Sequence, residues 1–298
     1  MCTITGMGNS APMFASLLGS WLVELRAVGK AHNTLLVYED SIQMLLKHSG
    51  GEFHRQAVID FMGDMRDRGA ESATIRLRLA AIKQFARWLG NEGYLAQPHL
   101  IVNIQTPKLQ QRPVPALDDR EIKALLKQCE GEELRDLRDR AAVTLLAETG
   151  MRASELLNLK IPDLSLVKCT ALVRETKNNT SRRVKFSPKC AAVLDKYVRT
   201  LTAIKGGENL WTSKFGRLTY GGLSTSLKGR AKNAGIHDFH IHRLRHTAAV
   251  RWMQSGGSET GLMTQAGWKS RTMIERYVRT SAEALAAAEF DRLALGLE

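Results

Sequence analysis

The sequence predicts a mainly α-helical protein with a small β-sheet, divided into two domains. Residues 12–100 carry apolar side chains at the three- and four-residue spacing of amphipathic helices. A polar segment containing prolines follows them, and alternating residues between Thr170 and Ser187 indicate a β-hairpin. The length of 298 residues allows two domains, each with its own core.

Residues 1–106 are predicted to form the first domain, which consists of helices. The apolar pattern places them at Met13–Val28, from Asn33 or Thr34 to Leu46, at Gln56–Arg68 and at Ser72–Leu89. The last helix has one apolar face and one basic face, formed by Arg76, Lys83 and Arg87. A lone basic helix face is usually just solvated, so this pattern does not by itself indicate a ligand.

Residues 107–116 are predicted to link the domains. They contain Pro107, Pro113 and Pro115 among polar residues and show no apolar period. Lys108 and Arg112 in this linker are candidate phosphate contacts, although a merely solvated linker would have the same composition.

The second predicted domain comprises residues 117–298. The acidic start at Leu117-Asp118-Asp119 suits a helix N-terminus, and Gly150 is a natural end for a helix that begins at Leu137. Further helices are predicted at Pro188–Ile204, Gly222–Ala234, Ile241–Gln254, Glu259–Ala266, Thr272–Arg279 and Ala282–Leu295.

Charge and cysteine content restrict the class of protein. Lys and Arg number 43 against 30 Asp and Glu, and the resulting net charge of +13 favours a polyanionic partner such as nucleic acid. The four cysteines are widely spaced and form no Cys-x-x-Cys pair, which favours reduced thiols over a disulfide or zinc framework. Because the sequence has neither a signal-like start nor a run of about 18 apolar residues, we expect a cytoplasmic protein.

Three short segments carry side chains suited to phosphodiester chemistry. Arg152, and Arg245 in the run His242-Arg243-Leu244-Arg245-His246, offer planar paired donors that fit phosphate oxygens. Such preorganised donors stabilise the charge that builds up on a phosphorus under attack. Tyr277 is a candidate nucleophile.

The order and setting of these residues resemble the tyrosine recombinases, the phage integrase and Xer class. Thr149-Gly150-Met151-Arg152 followed by Glu155 resembles the first motif of the family, and His242-x-Leu-Arg245-His246 resembles the second. Ala266-Gly267-Trp268 stands where the family usually has Leu-Gly-His, and Tyr277 follows nine positions after Trp268, at the family's habitual spacing. The resemblance extends from about residue 12 to about residue 280.

The resemblance implies a role for each of these residues. Arg152 and Arg245 bind the scissile phosphate, Glu155 braces the site, and His242 accepts the proton of Tyr277. His240 and Arg243 share the spacing of His242 and Arg245, but the flanking Leu244 and His246 match the family pattern only for the latter pair. His246 is expected to be a supporting group. A zinc site at His242 and His246 is the weaker alternative, since no third ligand is evident.

Two further positions, Lys177 and Trp268, extend the resemblance. Lys177 resembles the family's hairpin lysine, whose ammonium protonates the leaving 5′ oxygen, a role that typically contributes ~10²- to 10⁴-fold in rate. Arg182, Arg183 and Lys185 are nearby alternatives to it. Trp268 can donate a hydrogen bond to phosphate as histidine does, but it cannot transfer a proton. The Cre branch of the family also has Trp here. Trp268 could also be a core aromatic, and the two roles are compatible.

As a whole, the resemblance implies a DNA clamp made of a helical, SAM-like core-binding domain and a catalytic domain with the DNA breaking-rejoining enzyme fold. The core-binding domain of the family grips DNA through basic helices, so the resemblance makes Arg76, Lys83 and Arg87 candidate DNA contacts. Four protomers would exchange strands between two double-stranded core sites through a 3′-phosphotyrosine intermediate and a Holliday junction, with no cofactor and no metal. The short stretch before the first helix suggests recognition of core sites alone. A type IB topoisomerase and a non-catalytic repressor are the alternatives.

Several points stay open at the level of sequence. The enzyme could be a Xer-like chromosomal recombinase or a reduced phage integrase, and the divergence of the N-terminal half favours the latter. Accessory DNA-bending or directionality factors could act with it. The alanine-rich segment Ser281–Leu297 could dock into a neighbouring protomer or pack within its own chain.

We expect DNA affinity to fall steeply with salt, because each phosphate neutralised by Lys or Arg releases counterions and contributes a log-log slope of roughly −0.9. Equilibrium binding to a labelled duplex between about 50 and 200 mM salt measures this slope. Binding that is insensitive to salt over this range would contradict a protein that follows the phosphate backbone.

Overall fold

The chain folds into two units, Met1–Arg112 and Pro113–Glu298, and the boundary between them falls within the predicted linker 107–116. The computed structural model describes residues 11–109, 115–174, 181–278 and 282–293. Each unit has its own apolar core.

The first unit consists of α1 (Ala11–Ala27), α2 (His32–His48), α3 (Arg55–Asp67), α4 (Ser72–Asn91) and the short α5 (His99–Val102). Helices α1, α2 and α4 pack against one another. Trp21 on α1 is buried between the ring of Tyr38, stacked with centroids 5.6 Å apart, and that of Phe85, at 5.0 Å. The four predicted helices are present, and α5 is too short to show a helical period.

The start of α2 differs from the prediction. Asn33 or Thr34 was the expected cap, but α2 begins at His32, and Ala31 occupies the N-cap position without a side-chain hydrogen bond. The buried side chains of Leu35, Tyr38 and Ile42 follow each other on one face of α2. Burial of that face therefore extends the helix beyond the point that its capping residues would favour.

The second unit is helical, with two small sheets. Its helices are α6 (Asp119–Lys127), α7 (Leu134–Thr149), α8 (Ala153–Asn158), α9 (Pro188–Lys205), α10 (Tyr220–Asn233), α11 (His242–Gln254), α12 (Glu259–Ala266), α13 (Thr272–Val278) and α14 (Ala282–Leu293). Helix α7 packs against α9, α10 and α11, and its residues Ala141, Val143 and Leu145 are fully buried. Helix α14 packs against α11 of the same chain.

The predicted hairpin is confirmed as the antiparallel pair β2 (Thr170–Arg174) and β3 (Ser181–Lys185), in a register that places Val173 opposite Arg182. β1 (Leu164–Ser165) extends this sheet on the side of β2. β4 (Thr212–Ser213) and β5 (Gly216–Arg217) form a second, two-stranded sheet. The sequence pattern does not indicate β1, β4 or β5, because two residues are too few to show alternation.

A buried ionic cluster joins α7 to α10. The carboxylate of Asp139 is fully buried and accepts hydrogen bonds from Arg138 at 2.6 Å, from the hydroxyl of Ser226 at 2.6 Å and from Arg230 at 2.7 Å. Arg230 also pairs with Asp136 at 2.6 Å. Since a buried charge is tolerated only when it is paired and hydrogen-bonded, this cluster fixes how α10 lies against α7.

Asp139→Asn should therefore destabilise the second unit by about 3–5 kcal/mol, because the buried guanidinium of Arg138 loses the carboxylate of Asp139 and Arg230 keeps only Asp136. Asp195→Asn is the matched control, since Asp195 pairs with Arg199 at an exposed site and its loss should cost at most about 1 kcal/mol. Urea unfolding of the full chain compares the two variants. Equal losses would show that the cluster does not stabilise the unit.

Candidate active site

Gly150 builds the turn that presents Arg152. Helix α7 ends at Thr149, and Gly150 follows with φ of 62°, donating its N–H to the carbonyl of Leu146 at 3.0 Å. A Cβ on Gly150 would lie 3.2 Å from Cβ of Ala248 on α11. Glycine thus permits both the left-handed conformation and the close approach of α7 to α11. Arg152 then lies directly before the first residue of α8.

Contacts with Glu155 and Gly267 hold the side chain of Arg152. Its Nη1 donates to Oε1 of Glu155 at 2.8 Å, and its Nη2 donates to the carbonyl of Gly267 at 3.3 Å. The backbone N–H of Arg152 also donates to Oε2 of Glu155 at 2.8 Å. The Arg152 side chain is nevertheless 42% exposed, so a ligand in solution can reach it.

Arg245 on α11 contacts the carbonyl next to that of Gly267. Its Nη1 donates to the carbonyl of Gly150 at 2.6 Å and to that of Ala266 at 2.9 Å, and the residue is buried. Its guanidinium carbon lies 5.1 Å from the ring centroid of Trp268, the geometry of a cation–π contact. The guanidinium groups of Arg152 and Arg245 therefore contact adjacent carbonyls, those of Gly267 and Ala266.

The structure favours the register His242 with Arg245 over its alternative, His240 with Arg243. Arg243 donates to the carbonyls of Pro115 at 3.1 Å and His237 at 2.8 Å, so its guanidinium is committed to the chain's own backbone. Residues two apart on a helix face different sides. Arg243 therefore cannot share the surroundings of Arg245.

His242 lies at the start of α11, where its side chain is exposed, and the ring of His246 packs against it edge-on with centroids 5.6 Å apart. Within the described ranges, no three His, Cys, Asp or Glu side chains lie together as metal ligands. The alternative zinc site at His242 and His246 therefore gains no third ligand from the described part of the chain.

Trp268 and the helix that bears Tyr277 belong to one small apolar cluster. Buried Trp268 packs with Ala249, Leu262 and Ile274, and α13 packs against α11. Tyr277 lies on α13 one turn after Ile274. The side chain of Tyr277 is outside the described part of the structure, so its role as nucleophile stays a prediction.

Lys177 lies between β2 and β3, outside the described residues, and its role also stays a prediction. The structure does place the alternatives to it. Arg182 pairs with Glu155 at 2.7 Å, Lys185 donates to the carbonyl of Lys168 at 2.9 Å, and Arg183 is exposed on the opposite face of β3. Arg182 and Lys185 are thus engaged within the protein.

Comparison with known proteins identifies the family. The family model described as phage integrase family matches residues 115–284, more than half of the chain. The chain therefore belongs to the phage integrase family. Tyrosine recombinase XerA of Saccharolobus solfataricus (strain ATCC 35092 / DSM 1617 / JCM 11322 / P2) is 30% identical over 284 residues, which cover 90% of this chain and 90% of the relative.

Solved structures of integrases share the fold. A lambda integrase(75-356) dimer bound to a COC' core site superposes with a TM-score of 0.71 at 20% identity, over 87% of this chain and 96% of that one. A lambda integrase tetramer bound to a Holliday junction gives 0.70 at 19% identity, over 86% and 77%. The comparisons confirm the predicted family, the mainly helical fold class and the enzyme class, a tyrosine-type site-specific recombinase.

Glu155 is the most densely contacted acid of the recombinase's site. It is buried on α8 and accepts hydrogen bonds from Arg152 and from Arg182. Burial alone would raise the pKa of the Glu155 carboxyl, but the hydrogen bonds from Arg182 and Arg152 outweigh it and hold that pKa below its ordinary value. Glu155 is therefore ionised at neutral pH.

Arg182 is a site residue that sequence reasoning considered only as an alternative to Lys177. Its Nη1 and Nη2 donate to both carboxylate oxygens of Glu155, at 3.0 and 2.7 Å. One signal was present in the sequence. In β3, Arg182 lies two residues before the buried Val184 and therefore shares its face, which points to the core. A charged residue at an inward position of a strand needs a buried partner.

Two of the first-unit cations that are predicted to contact DNA donate instead to backbone carbonyls of their own chain. Arg76 donates to the carbonyl of Pro107 at 2.6 Å, and Lys83 donates to that of Ile104 at 2.5 Å. Burial and the nearby Arg87 lower the pKa of Lys83. Arg76 and Lys83 therefore anchor the chain that follows α5, whereas Arg87 and Lys108 are exposed. Arg112 lies outside the described residues, and DNA contact by all five stays a prediction.

No helix in the described part of the recombinase is both long and apolar enough to cross a membrane.

Gly267 should be intolerant of a side chain. Gly267 and Gly235 have similar left-handed φ values of 68° and 73°, but a Cβ on Gly267 would lie 2.5 Å from Cζ of Arg182, whereas one on Gly235 would meet nothing within 4 Å. Both Ala variants should lose roughly 1–2 kcal/mol through backbone strain. Gly267→Ala should lose about 1–3 kcal/mol more, because the guanidinium of Arg182 is held by Glu155 and cannot move aside without breaking that pair. Denaturant unfolding measures the difference, and equal losses would refute a tight contact with Arg182.

Proposed function

We propose that this recombinase cleaves and rejoins double-stranded DNA at specific core sites, with Tyr277 as its nucleophile. The observation that carries the proposal is the convergence of Arg152 and Arg245. These residues come from motifs far apart in the chain, yet their guanidinium groups contact the adjacent carbonyls of Gly267 and Ala266. Two fixed guanidinium groups at one place suit a phosphodiester whose charge increases in the transition state.

The chemistry exchanges one phosphoester bond for another. The phenolic oxygen of Tyr277 bonds to the scissile phosphorus while the bond from phosphorus to the 5′ oxygen breaks, which leaves a 3′-phosphotyrosine and a 5′-hydroxyl. An unperturbed tyrosine has a pKa of about 10, so His242 at the start of α11 accepts the phenolic proton. Lys177 supplies a proton to the leaving 5′ oxygen, and Trp268 donates a hydrogen bond to a phosphate oxygen.

Strand exchange reverses this step with a different partner. A 5′-hydroxyl from a second duplex attacks the phosphotyrosine, reforms the phosphodiester and releases Tyr277. The energy of the broken bond is kept in the intermediate, so no nucleotide hydrolysis is needed. A tetramer on two core sites is supported by the lambda integrase tetramer bound to a Holliday junction. The similarity to XerA supports a Xer-like enzyme over a reduced phage integrase, acting in the cytoplasm on the nucleoid.

The two units have separate tasks in this proposal. Met1–Arg112 is the helical core-binding domain, which grips the duplex with exposed cations such as Arg87 and Lys108, and Pro113–Glu298 is the catalytic domain. In this proposal both units contact the duplex. Accessory DNA-bending or directionality factors are proposed to act with the assembly. Helix α14 packs against α11 of its own chain, which supports packing within the protomer over docking into a neighbour.

Tyr277→Phe tests the proposal, because it removes one oxygen and keeps the ring. A suicide duplex nicked beside the cleavage point lets a short strand diffuse away after cleavage. With EDTA present, the wild-type protein should accumulate as a covalent 3′ adduct that maps to the peptide around Ile274–Arg279. The Phe variant should bind the same DNA and form no adduct.

An adduct on another residue, or cleavage that stops on chelation of metal, would overturn this mechanism. Relaxation of supercoiled plasmids that lack a target site, without exchange of strands, would instead indicate a topoisomerase. Site-specific binding without any adduct from the wild-type protein would indicate a repressor.

A further inference from the structure

Arg182 forms the closest ion pair with the acid of the first motif. Both of its terminal nitrogens donate to Glu155, one to each carboxylate oxygen, at 3.0 and 2.7 Å. The side chains of Arg182 and Glu155 are only 15% and 8% exposed. Arg152 shares the same carboxylate but is 42% exposed. Of the two arginines on Glu155, one is therefore buried and the other faces solvent.

Arg182 also contacts the segment that Arg152 and Arg245 share. Its Nε donates to the carbonyl of Gln265 and its Nη2 to that of Ala266, both at 3.3 Å. The amide of Gln265 in turn brackets the backbone of Lys185 on β3. These bonds fix β3 to the end of α12. They also leave the Arg182 guanidinium facing inward, so that it cannot reach a phosphate in solution.

The charges of this group show what Arg182 contributes. Taken by themselves, the carboxylate of Glu155 and the guanidinium groups of Arg152, Arg182 and Arg245 sum to a charge of +2. Without Arg182, the carboxylate would neutralise Arg152, and the pair would attract a phosphate weakly. Charge interactions are strong in such partly buried surroundings.

We propose that Arg182 is a positioning residue of the cleavage reaction: it neutralises Glu155, so that Glu155 can orient Arg152 without cancelling the charge that Arg152 offers to the scissile phosphate. The inference rests on the proposed function of Arg152. It assigns no contact with DNA to Arg182 itself.

A double-mutant cycle tests this electrostatic role. The variants are Arg182→Gln, Glu155→Gln and the double variant, and the readout is the single-turnover rate of adduct formation on the suicide duplex at saturating protein. Arg182→Gln should lower the rate roughly 10- to 100-fold, the usual cost of losing a supporting partner. The double variant should react at least about ten-fold faster than Arg182→Gln, because no unpaired carboxylate remains beside Arg152.

The pH dependence provides a readout that a merely structural role would not change. In Arg182→Gln, Glu155 stays buried without its main partner, so its pKa should rise. Protonation then removes the harmful charge, and the rate relative to wild type should recover as pH falls from about 8 to 5.5. In the double variant this recovery should be absent. Arg182→Lys, which keeps the charge but not the paired donors, should retain more activity than Arg182→Gln.

Arg199→Gln is the matched control for the loss of one positive charge, because Arg199 is exposed and pairs with Asp195 at 2.9 Å. It should cleave at the wild-type rate. Additive losses in the cycle, or a pH profile of Arg182→Gln parallel to wild type, would overturn the inference and leave Arg182 as a structural residue only.

Unfolding experiments test the pair without any cleavage. Because the folded pKa of Glu155 is lowered, its stabilising contribution is complete above the ordinary carboxyl pKa and is lost as pH falls through the lower folded value. Wild type should therefore lose more stability than Glu155→Gln on acidification, and Arg182→Gln should abolish this difference. If the wild-type protein forms no adduct, the proposed function fails, while this measurement still decides whether Arg182 neutralises Glu155.

Discussion

The buried carboxylate of Glu155 is the contact on which the geometry of the active site depends. It joins α8 to β3 by accepting from Arg152 on one side and Arg182 on the other. Both arginines also donate hydrogen bonds to carbonyls at the end of α12: Arg152 to that of Gly267 and Arg182 to that of Ala266. Without a carboxylate between them, two guanidinium groups at this distance would repel each other. One acid thus fixes three elements at the point where a phosphate would bind.

Helix α11 contributes to this arrangement through two different faces. Arg245 points toward Gly150 and Ala266, whereas Arg243 and Thr247 face the beginning of the second unit. The hydroxyl of Thr247 accepts the N–H of Leu117 at 2.8 Å and donates to the carbonyl of Arg243. The helical repeat makes this division possible, since residues four apart share a face and residues two apart do not. The same helix therefore presents His242 and holds the first residues of its domain in place.

Much of the fold followed from local patterns. Apolar periodicity placed α1, α3, α4 and most helices of the second unit, and alternation placed the hairpin of β2 and β3. The pattern did not reveal α5, α8 or the strands of two residues, because so few residues show no period. The sequence also made Arg76 and Lys83 candidate DNA contacts, only because they are basic residues on one helix face. Their hydrogen bonds to Pro107 and Ile104 depend on the path of a distant segment.

The sequence by itself determined the family and indicated the candidate site residues, because motifs such as Thr149–Arg152 and His242–His246 specify local turns and helix faces wherever they occur. Tertiary structure decided which of their side chains meet. Arg182 lies 27 residues from Glu155, and Arg152 lies 115 residues from Gly267. Contacts over such separations arise from the packing of whole elements around α7 and α11. A pattern of neighbouring residues does not specify that packing. Arg182 could therefore be identified as the partner of Glu155 only in the folded chain.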